Sequence, residues 1–344
     1  MGEKMKERKT LWMRYVNFEK IKDLLHIVYK NNASLTAGEL EKKGKEEEIL
    51  LREDGKEMSH SPCYHYRKVM EGLGLVEVKE KCYRVSEKDK VRRLLQLTEI
   101  KKPMPEDAKE VLREIIVENE DCRKNFFDIF MKKNKYNLYE LRTYGTYAMV
   151  KTKSMEESIE SRNKRGRAKV RKKKRVGPII IKNPTGKEIK LETQDSIHAI
   201  YWGVRLWSFE LGLTDELMIN FKEGRIIYPI NTNFSENEIT EEIIEKIKND
   251  NTDNEWVSLY LPLLTKEIAL KKRFAISQIK KFLHVLKRRY PTFITFTPSS
   301  TVFIDIKTPF ERQDEVIRRL YLFKNGYFYS HLNIYKKFLK EVKL

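Results

Sequence analysis

Between Ser59 and Ser86 the period of the apolar positions changes, and the change marks successive elements. Tyr66, Val69, Met70 and Leu73 recur at three- and four-residue steps, the spacing of one buried helical stripe. That leaves Tyr64, His65, Arg67, Lys68 and Glu71 on the outer face. Ser59 or Ser61 can cap the helix, and Pro62 suits its first position, where a missing N–H costs nothing. Gly72 and Gly74 can adopt the left-handed conformation that ends it. The period then falls to two: Val76 to Val78 and Cys82 to Val85 alternate around Lys79, Glu80 and Lys81, as a short hairpin does. Upstream, Phe18, Ile21, Leu24, Leu25 and Val28 form the stripe of a first helix, and Thr36 with Glu39 makes a capping box for a second. The stretch KKGKEEEILLREDGKEM before Ser59 predicts an elongated helix or an insertion.

Further along, Lys88 to Leu97 continues as a helix, and Lys102 to Pro105 punctuates its end. Residues 106 to 134 predict two helical pieces, one with Ala108, Val111, Leu112, Ile115 and Ile116, the other with Phe126, Phe127, Ile129 and Phe130. Tyr136 to Val150 is tyrosine-rich with β character. After Gly177, Ile179 to Lys182 and Glu188 to Glu192 flank a turn sequence, and Leu217 to Phe221 with Arg225 to Ile230 flank another, so both pairs read as hairpins. Helices are expected from Gln194 to Gly212, from Ser235 to Lys248 and, as one long element, from Lys266 to about Arg289. Phe293 to Phe296 and Val302 to Ile306 read as strands, and the chain from Phe310 onward as helical.

Strands that arrive as hairpins rather than alternating with helices point to an α+β fold. The expected organisation is an N-terminal arm (1–17), a helix-and-hairpin module (18–98), a connector (99–153), a basic linker (154–176) and a C-terminal α+β domain (177–344). The 344 residues suffice for several cores. A formal net charge of +19 implies a polyanionic partner, most simply nucleic acid. The sharpest composition change supports this: Arg162, Lys164, Arg165, Arg167, Lys169, Arg171, Lys172, Lys173, Lys174 and Arg175 fill ten of fourteen positions with no acid among them. Such a run repels itself and reads as an exposed tether ordered by phosphates. There is no long apolar run and no hydrophobic leader, so a cytoplasmic protein with no membrane partner is expected.

The residues His65 to Glu87, HYRKVMEGLGLVEVKEKCYRVSE, resemble the second half of a winged helix-turn-helix of the ArsR or MarR type, and the likeness extends over about residues 18–88. The resemblance implies double-stranded DNA as partner. Tyr64, His65, Arg67 and Lys68 would lie on a recognition helix in the major groove, and Lys79, Lys81 and Arg84 on a wing. A non-catalytic transcriptional regulator is the expected function. A DNA-binding subunit of a nucleic-acid-processing or antiviral defence complex is the alternative, and RNA in place of DNA, a homodimer and a protein partner stay open.

Other chemistry is thinner. Neither GxxxxGK[ST] nor GxGxxG occurs, so no nucleotide cofactor is expected. His60, Cys63, His65 and Cys82 offer metal-type donors, but their spacing does not aim three at one point on a helix. The three cysteines, Cys63, Cys82 and Cys122, form no disulfide framework. A strand ending in Asp305-Ile306-Lys307 resembles half of a metal-dependent nuclease site, with no acid on the preceding strand to complete it; Asp195 with His198 is a second acid/base pair of a spacing common by chance. Aromatic residues from Tyr321 to Tyr335, interleaved with basic ones, could stack bases or simply fill a core.

Overall fold

The computed structural model describes residues 14–31, 35–130, 147–152, 178–191, 196–220, 224–299, 319–324 and 327–342. It is a mixed α+β structure of two compact units that do not follow chain order: Met1–Tyr139 with Leu191–Leu211, and Glu140–Lys190 with Gly212–Leu344.

In the first unit, α1 (Phe18–Lys30) starts where Asn17 Oδ1 accepts the N–H groups of Glu19 and Lys20. It buries the expected stripe of Phe18, Ile21, Leu24, Leu25 and Val28. Thr36 and Glu39 form the capping box of α2 (Ala37–Glu46). This helix does not run on toward Ser59. Glu48 takes a left-handed φ of 58°, and the connection folds back on itself through a bridge between Leu51 and Glu57. Ile49 and Leu50 are thereby buried.

The next helix, α3 (His60–Gly72), ends as its glycines predict. Gly74 has φ of 68°, with Leu75 N–H bonded to Met70 O and Gly74 N–H to Glu71 O. Strands β2 (Val76–Lys79) and β3 (Cys82–Val85) form an antiparallel hairpin, and β1 (Leu35–Thr36) pairs with β3 to complete a sheet of order β1-β3-β2. Helices α4 (Asp89–Leu97) and α5 (Glu106–Glu118) follow, then a helical run with a π-helical turn at Arg123–Phe127. The core closes on α6 (Ser196–Glu210): Trp207 is 0% exposed with its ring 5.5 Å from Phe18, and Tyr201 lies 5.3 Å from Phe126.

The second unit holds an antiparallel five-stranded sheet of order β6-β5-β4-β8-β7, built from β4 (Ala148–Thr152), β5 (Ile179–Lys182), β6 (Glu188–Leu191), β7 (Thr214–Asn220) and β8 (Gly224–Pro229). Both expected hairpins are there, and β4, from the β-like end of the tyrosine-rich stretch, joins them. A side chain at Gly224 has no room. Its φ is 89°, and an added Cβ would sit 2.3 Å from Val150 O. We expect Gly224→Ala to cost about 2–4 kcal/mol in a denaturant melt, from left-handed strain plus the push on β4.

Helix α7 (Glu236–Lys248) starts at its Ser235 cap. The single long helix expected to Arg289 is instead two, α8 (Leu261–Lys272) and α9 (Ile276–Arg289). The break falls at left-handed Arg273 (φ 58°), where fully buried Phe274 turns into the core. The chain beyond Leu320, expected as helix, is mainly strand: β11 (Leu322–Lys324) and β12 (Tyr327–Tyr335), with only Phe338–Glu341 helical among the described residues. Aromatic side chains suit a pleated surface better than a helix. Strand β12 pairs with β10 (Ile294–Ser299) on one side, and with β9 (Trp256–Tyr260) and β11 on the other.

Candidate nucleic-acid interface

The residues expected to touch DNA divide into three groups. The wing residues Lys79, Lys81 and Arg84 are exposed, on a hairpin closed by the pair Lys79 and Cys82. Its two central residues, Glu80 and Lys81, have φ of 52° and 66°. Such a turn favours Asn-Gly, because a side chain in the left-handed region costs roughly 1–2 kcal/mol per residue. Lys79 pairs with Glu77 at 3.1 Å, an exposed contact of little energetic weight. Among the described residues, Lys81 and Arg84 have no carboxylate within ion-pair distance.

On α3 the picture differs from the expected outward face. Arg67 is buried, 7% exposed. It lies one turn beyond buried Cys63 and one before Met70, so it shares the edge of their stripe. Its guanidinium lies near the Tyr83 hydroxyl and 5.8 Å from the Tyr64 ring, and its buried Nε meets no hydrogen-bond partner among the described residues. Tyr83, itself buried on β3, donates to Glu71 Oε1 at 2.8 Å, and Lys68 binds the other Glu71 oxygen at 2.5 Å. Burial first, then the Glu71 contact, push the Tyr83 phenol well above its ordinary range. Arg67 therefore packs between the helix and the hairpin. We expect Arg67→Ala to destabilise the unit by about 2–4 kcal/mol, since a buried gap opens against Tyr64 and Tyr83. Thermal melting followed by circular dichroism reads this, and an unchanged midpoint would contradict the placement.

Tyr64, His65 and Lys68 are only half-buried. Burial and the nearby Arg14 lower the His65 pKa, so this ring is neutral at physiological pH and adds no cation. The charged groups expected from the basic run Arg162–Arg175, and the acid and lysine at Asp305 and Lys307, lie outside the described residues, as does Asp195. Sequence reasoning passed over Arg92 and Arg93, exposed on α4. Arg92 lines a hollow of about 480 Å³ with Tyr29, Val85, Ser86 and Glu87 at the base of β3. The signal was present in the charged positions of a helix already expected there.

The four metal-type donors do not converge. His60 Nδ1 meets Glu41 at 2.9 Å, while Cys63 is buried with its thiol aimed at Met58 O and its pKa raised by burial. No three His, Cys, Asp or Glu among the described residues are grouped to hold an ion. No helix among them is long and apolar enough to cross a membrane.

No family model matches the chain, and no curated protein does. Among solved structures, that of the restriction endonuclease FokI is similar over 93% of this chain at 11% sequence identity, with a TM-score of 0.31. The chain spans 62% of the length of that structure. A likeness of this size fixes neither a shared fold nor a shared activity.

Proposed function

We propose that this protein binds double-stranded DNA through a winged-helix module at residues 18–88, with the wing rather than the helix as the main contact. The observation that carries the reading is the hairpin tip. Lys79, Lys81 and Arg84 stand exposed on a hairpin whose two-residue turn holds Glu80 and Lys81 in the left-handed region. Conformational strain kept at a charged tip is what a ligand-contacting position tolerates and a purely structural turn discards. The net charge of +19 supplies long-range attraction to phosphates. With Arg67 buried, base-edge contacts fall to Tyr64 and Lys68, so recognition rests mainly on the backbone. Residues Arg162–Arg175 would add sequence-independent phosphate contacts. In this reading the protein acts by binding, as a transcriptional regulator or as the DNA-gripping subunit of a larger assembly.

Anisotropy titrations of the full-length chain with a labelled duplex, over a series of salt concentrations, test it. Log affinity should fall against log salt with a slope of about −3 or steeper, the three wing cations alone giving roughly −2.7. A slope shallower than about −1, or no binding at about 50 mM salt, would overturn it.

A further inference from the structure

The sheet of β9, β12 and β10 turns one face to α8 and α9, with Val257, Ile294, Phe296, Leu332 and Ile334 in the core. The opposite face is open. Register sorts it into rows running across the strands. At one end stand Trp256, its partner Tyr335, and Phe293 just before β10. The Trp256 and Tyr335 rings are 5.2 Å apart at 23°, and Tyr335 and Phe293 are 6.4 Å apart at 16°, so the three stack side by side. The next row is polar: Ser258 donates to Asn333 Oδ1, and Asn333 Nδ2 donates diagonally to Thr297 Oγ1 of the following row, both at 2.7 Å. The third carries Tyr260 against His331, with the Tyr260 and Tyr321 hydroxyls 2.7 Å apart. Beyond it lies Phe323, more than half exposed, against Phe328.

Two properties separate this face from an ordinary solvated one. In a chain that is 35% charged, none of these outward side chains is Asp, Glu, Lys or Arg. Yet Trp256 and Tyr260 are each 41% exposed. Nor does any row carry Leu, Ile, Val or Met, the aliphatic anchors common in the centre of a protein partner's footprint. What remains is rings standing nearly parallel and a strip of hydroxyl and amide groups, with no carboxylate among them to repel a phosphate. Lys337 lies over the Tyr335 ring at 5.2 Å and is exposed. Asp253 and Glu255 are exposed at the start of β9, and Lys336 is held by Asp250. The rim is therefore mixed in charge, with its cations beside the aromatic stack.

We propose that this face binds single-stranded nucleic acid by stacking bases on Trp256 and Tyr260, the polar row addressing base edges between them. A base on the outer face of the Trp256 indole, at the free edge of β9, extends a stack already three rings long. Trp256 and Tyr260 are about 13 Å apart along the strand, which leaves room for a nucleotide over the polar row. Stacking tolerates any base, so affinity here depends on base rings more than on charge. The site is independent of the wing.

The full-length chain is titrated with labelled oligo-dT and oligo-U of about 15 nucleotides, and with a duplex. Trp256→Ala should weaken single-strand binding about 5- to 100-fold, and Trp256→Phe should retain it within about threefold. Duplex affinity should stay unchanged in both. Binding to either oligomer supports the proposal, and a preference for oligo-U assigns the natural strand to RNA. Single-strand affinity within about twofold of wild type in Trp256→Ala overturns it, as does an equal loss on single strand and duplex. If that variant fails to fold, photocrosslinking of wild type to 5-iodouridine oligomers decides: adducts at Trp256, Tyr260 or Tyr335 support the site, and adducts confined to other segments overturn it. A nucleic-acid-free dimer that dissociates on Trp256→Ala would assign the face to a second copy and also overturn it.

Discussion

Replacing Lys79, Lys81 and Arg84 together by alanine is expected to weaken duplex binding roughly 100- to 1,000-fold at about 0.1 M salt. Each cation that neutralises a phosphate releases close to one counterion. At that salt concentration each contact is therefore worth nearly one power of ten, and three contacts multiply to that range. The same change should make the salt slope shallower by about 2.7. Fold stability should move by less than about 0.5 kcal/mol, because the three side chains are exposed and the β2–β3 ladder does not use them. Anisotropy at two salt concentrations with a melt alongside makes the check. An affinity within threefold of wild type would show that DNA, if bound, is held elsewhere.

In the second unit, the largest stability effect is expected at Asp215, which is 3% exposed. Its Oδ1 accepts from Arg319 Nη2 at 2.6 Å and from Glu216 N–H at 2.8 Å, and its Oδ2 accepts from Ile276 N–H at 2.9 Å. One carboxylate thus fixes strand β7, the start of α9 and the segment entering β11. Asp215→Ala takes the acceptor from a helix-end N–H and removes the carboxylate that pairs with Arg319, which keeps its bond to Glu216 O, a loss of about 3–5 kcal/mol. For a unit of this size that corresponds to roughly 6–20 °C in melting temperature. The double change Asp215→Val with Arg319→Met should recover part of it, since removing both partners avoids stranding a charge. A single variant that melts with wild type, or a double variant no better than the single, would refute the pairing.

These two sites differ in how far the sequence disclosed them. The β2–β3 hairpin was readable because its determinants are local: a glycine stop at Gly74, alternation through Val76–Val85, and lysines at the turn. The outward placement of Arg67 failed because its partner Tyr83 is sixteen residues away on another element, and a helical repeat contains no information about that contact. Cys63, one turn before Arg67, was the hint that the buried stripe is wider than four residues. The break at Arg273 carries neither glycine nor proline. It exists because Phe274 enters the core while its carbonyl accepts from Tyr228 and Ile276 N–H reaches Asp215, all non-local terms. Strands β11 and β12 were legible in principle: Asn325-Gly326 between Phe323 and Phe328 is a strong two-residue hairpin signal that the expectation of helix from Phe310 onward passed over. The acidic pair Asp215-Glu216, just ahead of the apolar Leu217 to Ile219, gave no sign of its role, because Arg319 is over a hundred residues downstream.

Helix α6 fills the centre of a unit whose other elements all precede Tyr139. During synthesis, Phe18 and Phe126 must wait for Trp207 and Tyr201 to leave the ribosome before their rings are covered. The nascent N-terminal half therefore exposes apolar surface through some sixty further codons, a window in which chaperones can act. A fragment cut at residue 139 would be left in that unfinished state, so this part of the chain is unsuited to expression by itself.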